Sequence, residues 1–249
     1  MSDKIPVVEI FGPTLQGEGP NAGARCIFLR VKGCSFHCAW CDSKYTWNGN
    51  TSEVINYEPE TLSQLLIQKC IDTNCKHIVL TGGNPCLYDF SYILFKLKAF
   101  GVTVDIETQG DLIPDWLTMV DTIVFSPKAP SSGMPDTYDT IVDFINENNQ
   151  SNRNIAIKIP VFDDADIDFA RKYAKFISTF TSKHDDNINL RLYLSVGNSD
   201  VDTKESIRDR VLSDYEELLN KINKFPKDFE NIYILPQIHT LVWGNKQGV

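Results

Sequence analysis

Three cysteines held in one short loop constrain this chain more than any other feature. The segment Gly33-Cys34-Ser35-Phe36-His37-Cys38-Ala39-Trp40-Cys41-Asp42 carries a C-x3-C-x2-C run directly after an apolar stretch that ends near Val31. Thiolates this close can ligate three irons of a cubane. Such clusters ordinarily take four cysteines, so three leave one iron open for chemistry. A structural zinc site is the competing reading, with His37, or more distantly Cys70, Cys75 or His77, as a further ligand. His37 adjoins Cys38, and adjacent side chains rarely point at one ion. Spacing alone leaves both readings open.

The redox compartment bears on that choice. No stretch approaches the roughly 20 apolar residues needed to span a bilayer, and the first residues, Met1 to Pro6, lack the apolar core of a signal peptide. A cytoplasmic location is therefore expected, where seven cysteines do not build a disulfide framework and a tight cluster points to metal. Cys26 in an apolar strand, Cys70 on a helical face and Cys86 after a turn read as core thiols. His77 reads as structural and His184 as solvated. Acidic residues outnumber basic ones by 33 to 24, a net charge of −9, which argues against a nucleic-acid partner.

Short apolar runs alternate with amphipathic stretches. Strands are expected at Val7 to Phe11, Cys26 to Val31, Ile78 to Thr81, Val102 to Ile106, Thr122 to Phe125, Ile155 to Val161, Leu190 to Val196 and Ile232 to Leu235. Helical stripes lie between them: Leu62/Leu65/Leu66, Ile93/Leu94/Leu97, Phe169/Tyr173/Phe176/Ile177/Phe180 and Ile207/Val211/Tyr215/Leu218/Ile222. Strands joined through helices make a mainly parallel sheet. The pattern from Cys26 onward suits a partial (β/α)6-type barrel, with chemistry at the carboxyl ends of its strands. The polar stretches 146–154 and 182–189 read as loops within one domain spanning 1–249.

The cysteine run, with an aromatic residue before its last cysteine and an expected first barrel strand before it, resembles the radical S-adenosylmethionine (SAM) superfamily signature. Thr81-Gly82-Gly83-Asn84-Pro85, Glu107-Thr108-Gln109-Gly110 and Ser126-Pro127-Lys128 follow the next three strands in the superfamily's order. Glu9 to Glu18 and Gly19, with Cys41-Asp42-Ser43 and Leu235 to Asn245, resembles the 7-carboxy-7-deazaguanine synthase family over essentially the whole chain. Within the domain this marks a substrate loop at 9–20, a cluster loop at 33–43 and a carboxyl-terminal motif at 235–249.

The resemblance implies a reaction. A reduced [4Fe–4S] cluster cleaves SAM, and the resulting radical takes hydrogen from 6-carboxy-5,6,7,8-tetrahydropterin. The ring contracts with loss of ammonia to 7-carboxy-7-deazaguanine. SAM is regenerated, and Mg²⁺ assists. Expected partners are the pterin, a flavodoxin- or ferredoxin-like reductant and a second copy of the chain. Two alternatives stand beside it: a superfamily activase that makes a glycyl radical on a partner protein, and a zinc-stabilised binding module.

By motif position, Cys34, Cys38 and Cys41 hold the cluster. Trp40, Cys41, Asp42, Gly83, Ser126, Pro127 and Lys128 are expected against SAM. Ser43 would give Mg²⁺ an oxygen ligand, as hard cations prefer. Leu15, Gln16, Gly17, Glu18, Arg30 and Thr81 would meet the substrate, Arg30 through its carboxylate. Asn84 stands where many superfamily members have glutamate, so its carbonyl oxygen would accept from the SAM amino group without a charge. His239 would close over the substrate.

Overall fold

The computed structural model describes residues 4–49, 53–148, 153–183, 189–198, 200, 201, 203, 206–246 and 248. The reading of His184, the middles of the two polar stretches (149–152 and 184–188) and positions 247 and 249 of the carboxyl-terminal motif lie outside them.

One nine-stranded sheet runs in the order β3-β1-β2-β4-β5-β6-β7-β8-β9. Strand β1 (Ile5–Leu15) pairs antiparallel with β2 (Arg25–Val31) and with the short β3 (Ile55–Tyr57). From β2 onward every pairing is parallel. Strands β2, β4 (His77–Gly82), β5 (Thr103–Thr108), β6 (Thr122–Phe125), β7 (Asn154–Val161) and β8 (Asn189–Val196) make the expected partial barrel. Strand β9 (Ile232–Leu235) extends it by one more. Because β1 continues to Leu15, the expected substrate loop proper begins only at Gln16.

The two faces of the sheet separate by alternation. Ile27 and Leu29, Ile78 and Leu80, Val104 and Ile106, and Ile155, Ile157 and Ile159 point into the main core. That core is closed by α1 (Pro59–Thr73), α2 (Ser91–Ala99), α3 (Tyr138–Glu147), α4 (Asp164–Thr181) and α5 (Arg208–Ile222). Among the described residues the opposite face holds two small apolar clusters, Cys26/Phe28/Val79 and Val124/Ala156/Tyr193. Successive same-face residues are two apart in a strand. The next inward positions toward the carboxyl ends are therefore Arg30 after Phe28, Thr81 after Val79, Ser126 after Val124, Lys158 after Ala156 and Ser195 after Tyr193. An apolar floor thus carries a polar ring.

The helices follow from local chemistry. Proline opens α1, where its missing N–H costs nothing, and Asn74 ends it in the left-handed region at φ 49°. Asp163 caps α4 by accepting from the Asp166 N–H at 3.0 Å. Besides the short β3 and a short helix at Ile238–Trp243, two elements depart from the expected pattern. Helix α3 buries Ile141, Phe144 and Ile145, and the crossover from β5 to β6 is a 3-10 turn at Asp115–Met119, with Trp116 and Leu117 buried, in place of an α-helix. A short helix, α6 (Ile238–Trp243), closes the carboxyl-terminal motif.

Candidate active site

The cluster loop leaves β2 through Gly33, whose φ of +90° suits glycine. Its carbonyl accepts from Asn84 N at 2.8 Å and its N–H donates to Thr46 O at 2.8 Å. A Cβ on Gly83 would overlap that carbonyl, so only glycine lets the end of β4 lie this close to the loop. Cys34, Cys38 and Cys41 all face one cleft. Hydrogen-bond donors reach two of the sulfurs: Phe36 N and Gln109 Nε2 lie 3.4 and 3.5 Å from Cys34 Sγ, and Trp47 Nε1 lies 3.4 Å from Cys41 Sγ.

Burial pushes the Cys38 thiol up to about 11, partly offset by Lys128 and reinforced by Cys41 and Cys34. A group with that value is protonated at neutral pH and becomes a thiolate when a metal displaces the proton. Lys128 is affected by all three cysteines: burial and Lys158 lower its pKa, and Cys38, Cys34 and Cys41 oppose the fall. Among the described residues no three His, Cys, Asp or Glu side chains close around a single ion. A cubane instead takes each thiolate on a different iron, and three thiols on one loop with N–H donors behind them fit it. His37 is exposed and sets its ring edge-on to Trp47 at a centroid distance of 4.8 Å.

The polar ring continues the cleft away from the cysteines. Glu107, on β5, accepts from Gln16 Nε2 at 3.0 Å and from Thr81 Oγ1 at 2.7 Å, one on each oxygen. Arg30 Nε and Tyr45 OH both donate to Glu9 Oε1, at 2.8 and 2.9 Å. Glu18 lies under Lys158 Nζ at 2.8 Å, with Gln237 Nε2 at 3.0 Å and Ser195 Oγ at 3.4 Å on its other oxygen. Burial alone would raise the Glu18 carboxyl, but Lys158, His239 and Gln237 outweigh it and hold it at about 2. The ring of His239 packs against Gly17, and Ile238 N donates to Gly17 O at 3.0 Å. The amino-terminal loop and α6 thus form one wall.

Trp40 stacks on Phe162 at 4.8 Å, beneath Lys128 at 5.8 Å, and donates to Ser131 Oγ at 2.9 Å. Lys128 Nζ donates to Ser126 Oγ at 3.0 Å. Leu15, Asp42 and Gly83 line the same cleft, as does Ser43, whose Oγ is 3.8 Å from Cys41 Sγ. Of the expected positions, Pro127 is off the lining. Asn84 is fully buried. Its oxygen accepts from Cys86 N and Thr108 Oγ1 and its amide donates to Asp111 Oδ1, so it braces the turn after β4. The other thiols are structural, Cys26 and Cys70 among core side chains and Cys75 donating to Arg25 O. His77 pairs with Asp105 at 2.7 Å.

Sequence reading passed over Glu107, Lys158, Gln237, Gln109, Tyr45 and Trp47 as site residues. The signal for Lys158 is a lone lysine at an inward position of the otherwise apolar run Ile155 to Val161. Glu107 stands two residues beyond Asp105 on the same inward face.

Comparison with known proteins settles the family. A family model described as a 4Fe-4S single cluster domain matches residues 15–101. The 7-carboxy-7-deazaguanine synthase of Bacillus cereus is 38% identical over 250 residues, 99% of each chain. That of Bacillus subtilis is 36% identical over 258 residues, 100% of each. This chain belongs to the 7-carboxy-7-deazaguanine synthase family. The crystal structure of QueE from Escherichia coli covers 95% of each chain with a TM-score of 0.58 at 22% identity, a likeness of fold. Streptococcus suis SuiB bound to precursor peptide SuiA shares the fold more distantly in sequence, with a TM-score of 0.58 and 14% identity over 86% of this chain and 49% of that one. In this 7-carboxy-7-deazaguanine synthase family member, the cysteine loop and the polar ring face each other across a single cleft.

Proposed function

We propose that the chain converts 6-carboxy-5,6,7,8-tetrahydropterin to 7-carboxy-7-deazaguanine with loss of ammonia, as a radical SAM carbon–nitrogen lyase. The observation that carries this is the joining of the three-cysteine loop and the Glu107/Arg30/Glu18–Lys158 ring in one cleft. Full-length kinship to the synthases leaves no ground for the glycyl-radical activase or the zinc module.

Cys34, Cys38 and Cys41 would hold the cluster, and Trp40, Asp42, Gly83, Ser126 and Lys128 would border SAM. Bound and reduced, these cofactors supply the radical that removes a substrate hydrogen atom. The rest falls to the chain. Glu107 has one oxygen engaged by Gln16 and the other by Thr81; each keeps acceptor capacity for the amide edge of a pterin. Glu9 engages the Nε edge of Arg30, which leaves the Nη edge to pair with the substrate carboxylate. The Gly17–α6 wall holds water off the radical. Ser43 offers Mg²⁺ a hydroxyl oxygen beside Asp42.

The working unit is a homodimer in the cytoplasm, reduced by a flavodoxin- or ferredoxin-like donor. No helix among the described residues is long and apolar enough to cross a membrane, and the seven cysteines are free thiols. The test is turnover. Protein reconstituted without oxygen is given reductant, SAM, Mg²⁺ and the tetrahydropterin, and mass-detected chromatography looks for the deazaguanine. SAM cleavage without that product would leave the cofactor chemistry and discard the substrate.

A further inference from the structure

A buried amide next to the cluster loop is aimed by its neighbours. Asp111 accepts from Asn84 Nδ2 at 2.9 Å on one oxygen and from the Ser35 hydroxyl on the other. With its hydrogen on the carboxylate, Ser35 Oγ can only accept from a further partner, and Gln109 Nε2 donates to it at 2.9 Å. The reverse orientation of the amide would set two acceptors face to face, so the network decides which end of Gln109 meets the loop. The same NH₂ group lies 3.5 Å from Cys34 Sγ, within reach of its second hydrogen. Gln109 is 3% exposed, so bulk water does not compete for that donor. Across the loop, the Trp47 indole, which can only donate, places Nε1 3.4 Å from Cys41 Sγ.

We propose that Gln109, oriented through Ser35 by Asp111, and Trp47 donate N–H bonds to two of the cluster's thiolate ligands and so raise its reduction potential. The inference rests on the cluster reading above. An electron added to the cluster increases the negative charge on its sulfur ligands. N–H donors gain strength with that charge and favour the reduced form, one of the levers by which a protein sets such potentials. The proposal also gives Asn84 a purpose: it anchors the carboxylate at the far end of this relay.

The test is a potentiometric titration of the reconstituted protein without SAM or substrate, following the reduced cluster by electron paramagnetic resonance. Trp47→Phe keeps a ring against His37 and removes the donor. Gln109→Leu removes the amide, and Ser35→Ala removes its guide. The midpoint should move to more negative potential in Trp47→Phe and Gln109→Leu, by less in Ser35→Ala, and additively in the double variant of Trp47 and Gln109. A purely structural role would lower cluster content and leave the midpoint of the remaining clusters in place. If Gln109→Leu takes up no iron, Trp47→Phe and Ser35→Ala decide the matter. Unchanged or more positive midpoints at full cluster content overturn the inference alone; a wild-type protein that holds no cluster overturns it together with the cluster reading.

Discussion

Lys158 Nζ and Glu18 Oε2 stand 2.8 Å apart, although 140 residues separate them in the chain. Both side chains are largely out of solvent, 15% and 13% exposed. Removing one partner of such a pair strands the other charge, which costs about 3–5 kcal/mol. Lys158→Met should therefore destabilise the fold by roughly that amount, read in urea unfolding, and abolish turnover by loosening the Gln16–Glu18 loop. Glu18→Gln, which retains a hydrogen-bonding head group, should cost less.

The same pair predicts an acid response. The Glu18 carboxyl sits at about 2, below its ordinary 4.5, because Lys158, His239 and Gln237 outweigh the upward push of burial. A depressed folded value stabilises the fold fully above the unfolded value, and that stability fades as pH falls through the folded one. The contribution, roughly 3 kcal/mol, should be complete above about pH 4.5 and lost toward pH 2. Unfolding of metal-free protein across this window should show the gap between wild type and Glu18→Gln closing as pH falls. A gap that stays constant with pH would contradict the assignment.

Gly17→Ala tests the wall between loop and tail. A Cβ there would run into the His239 imidazole, and overpacking costs about 1–3 kcal/mol. Turnover should fall more than tenfold while cluster content stays normal. Adding His239→Ala should restore part of the lost thermal stability: the obstructing ring is gone, but so is its support of the Glu18 carboxylate.

Gly83→Ala acts on the other side of the cleft. The new methyl group would displace the Gly33 carbonyl and with it the start of the cysteine loop. Iron retained after reconstitution should drop several-fold, measured by elemental analysis. The same change at the exposed Gly101, where a φ of +74° strains any Cβ but nothing lies within 4 Å and the cysteine loop is not involved, should leave iron content unaltered.

Ser43→Ala addresses magnesium. Loss of one oxygen ligand should raise the Mg²⁺ concentration for half-maximal turnover by about tenfold or more, with the cluster spectrum unaltered. An unaltered Mg²⁺ dependence would remove Ser43 from the metal's coordination.

Much of this architecture could be read from the chain because it is locally encoded. The cysteine ligands share one loop, and the buried strands announce themselves as runs of Ile, Val and Leu. Helix α3 was passed over although its pattern was legible: Ile141, Phe144 and Ile145 recur at helical spacing, and they dock on the sheet. The polar ring was half visible. Gln16 and Thr81 lie in recognisable motifs, but their shared partner Glu107 is 91 residues from Gln16 and meets it only once the strand register is fixed. The packing role of Asn84 was hidden for a related reason. Its motif position suggested a cofactor contact, and only the packing shows its oxygen and its amide already engaged by Cys86, Thr108 and Asp111.

The most direct test of the central claim is product counted against SAM. Anaerobically reconstituted protein, with SAM held well below the concentration of 6-carboxytetrahydropterin, is followed until product stops accumulating, with Cys38→Ala run in parallel. A catalytic, regenerated SAM predicts many molecules of 7-carboxy-7-deazaguanine per SAM and none from the variant. Product capped at one per SAM would contradict the cofactor role, and equal product from Cys38→Ala would contradict the cluster itself.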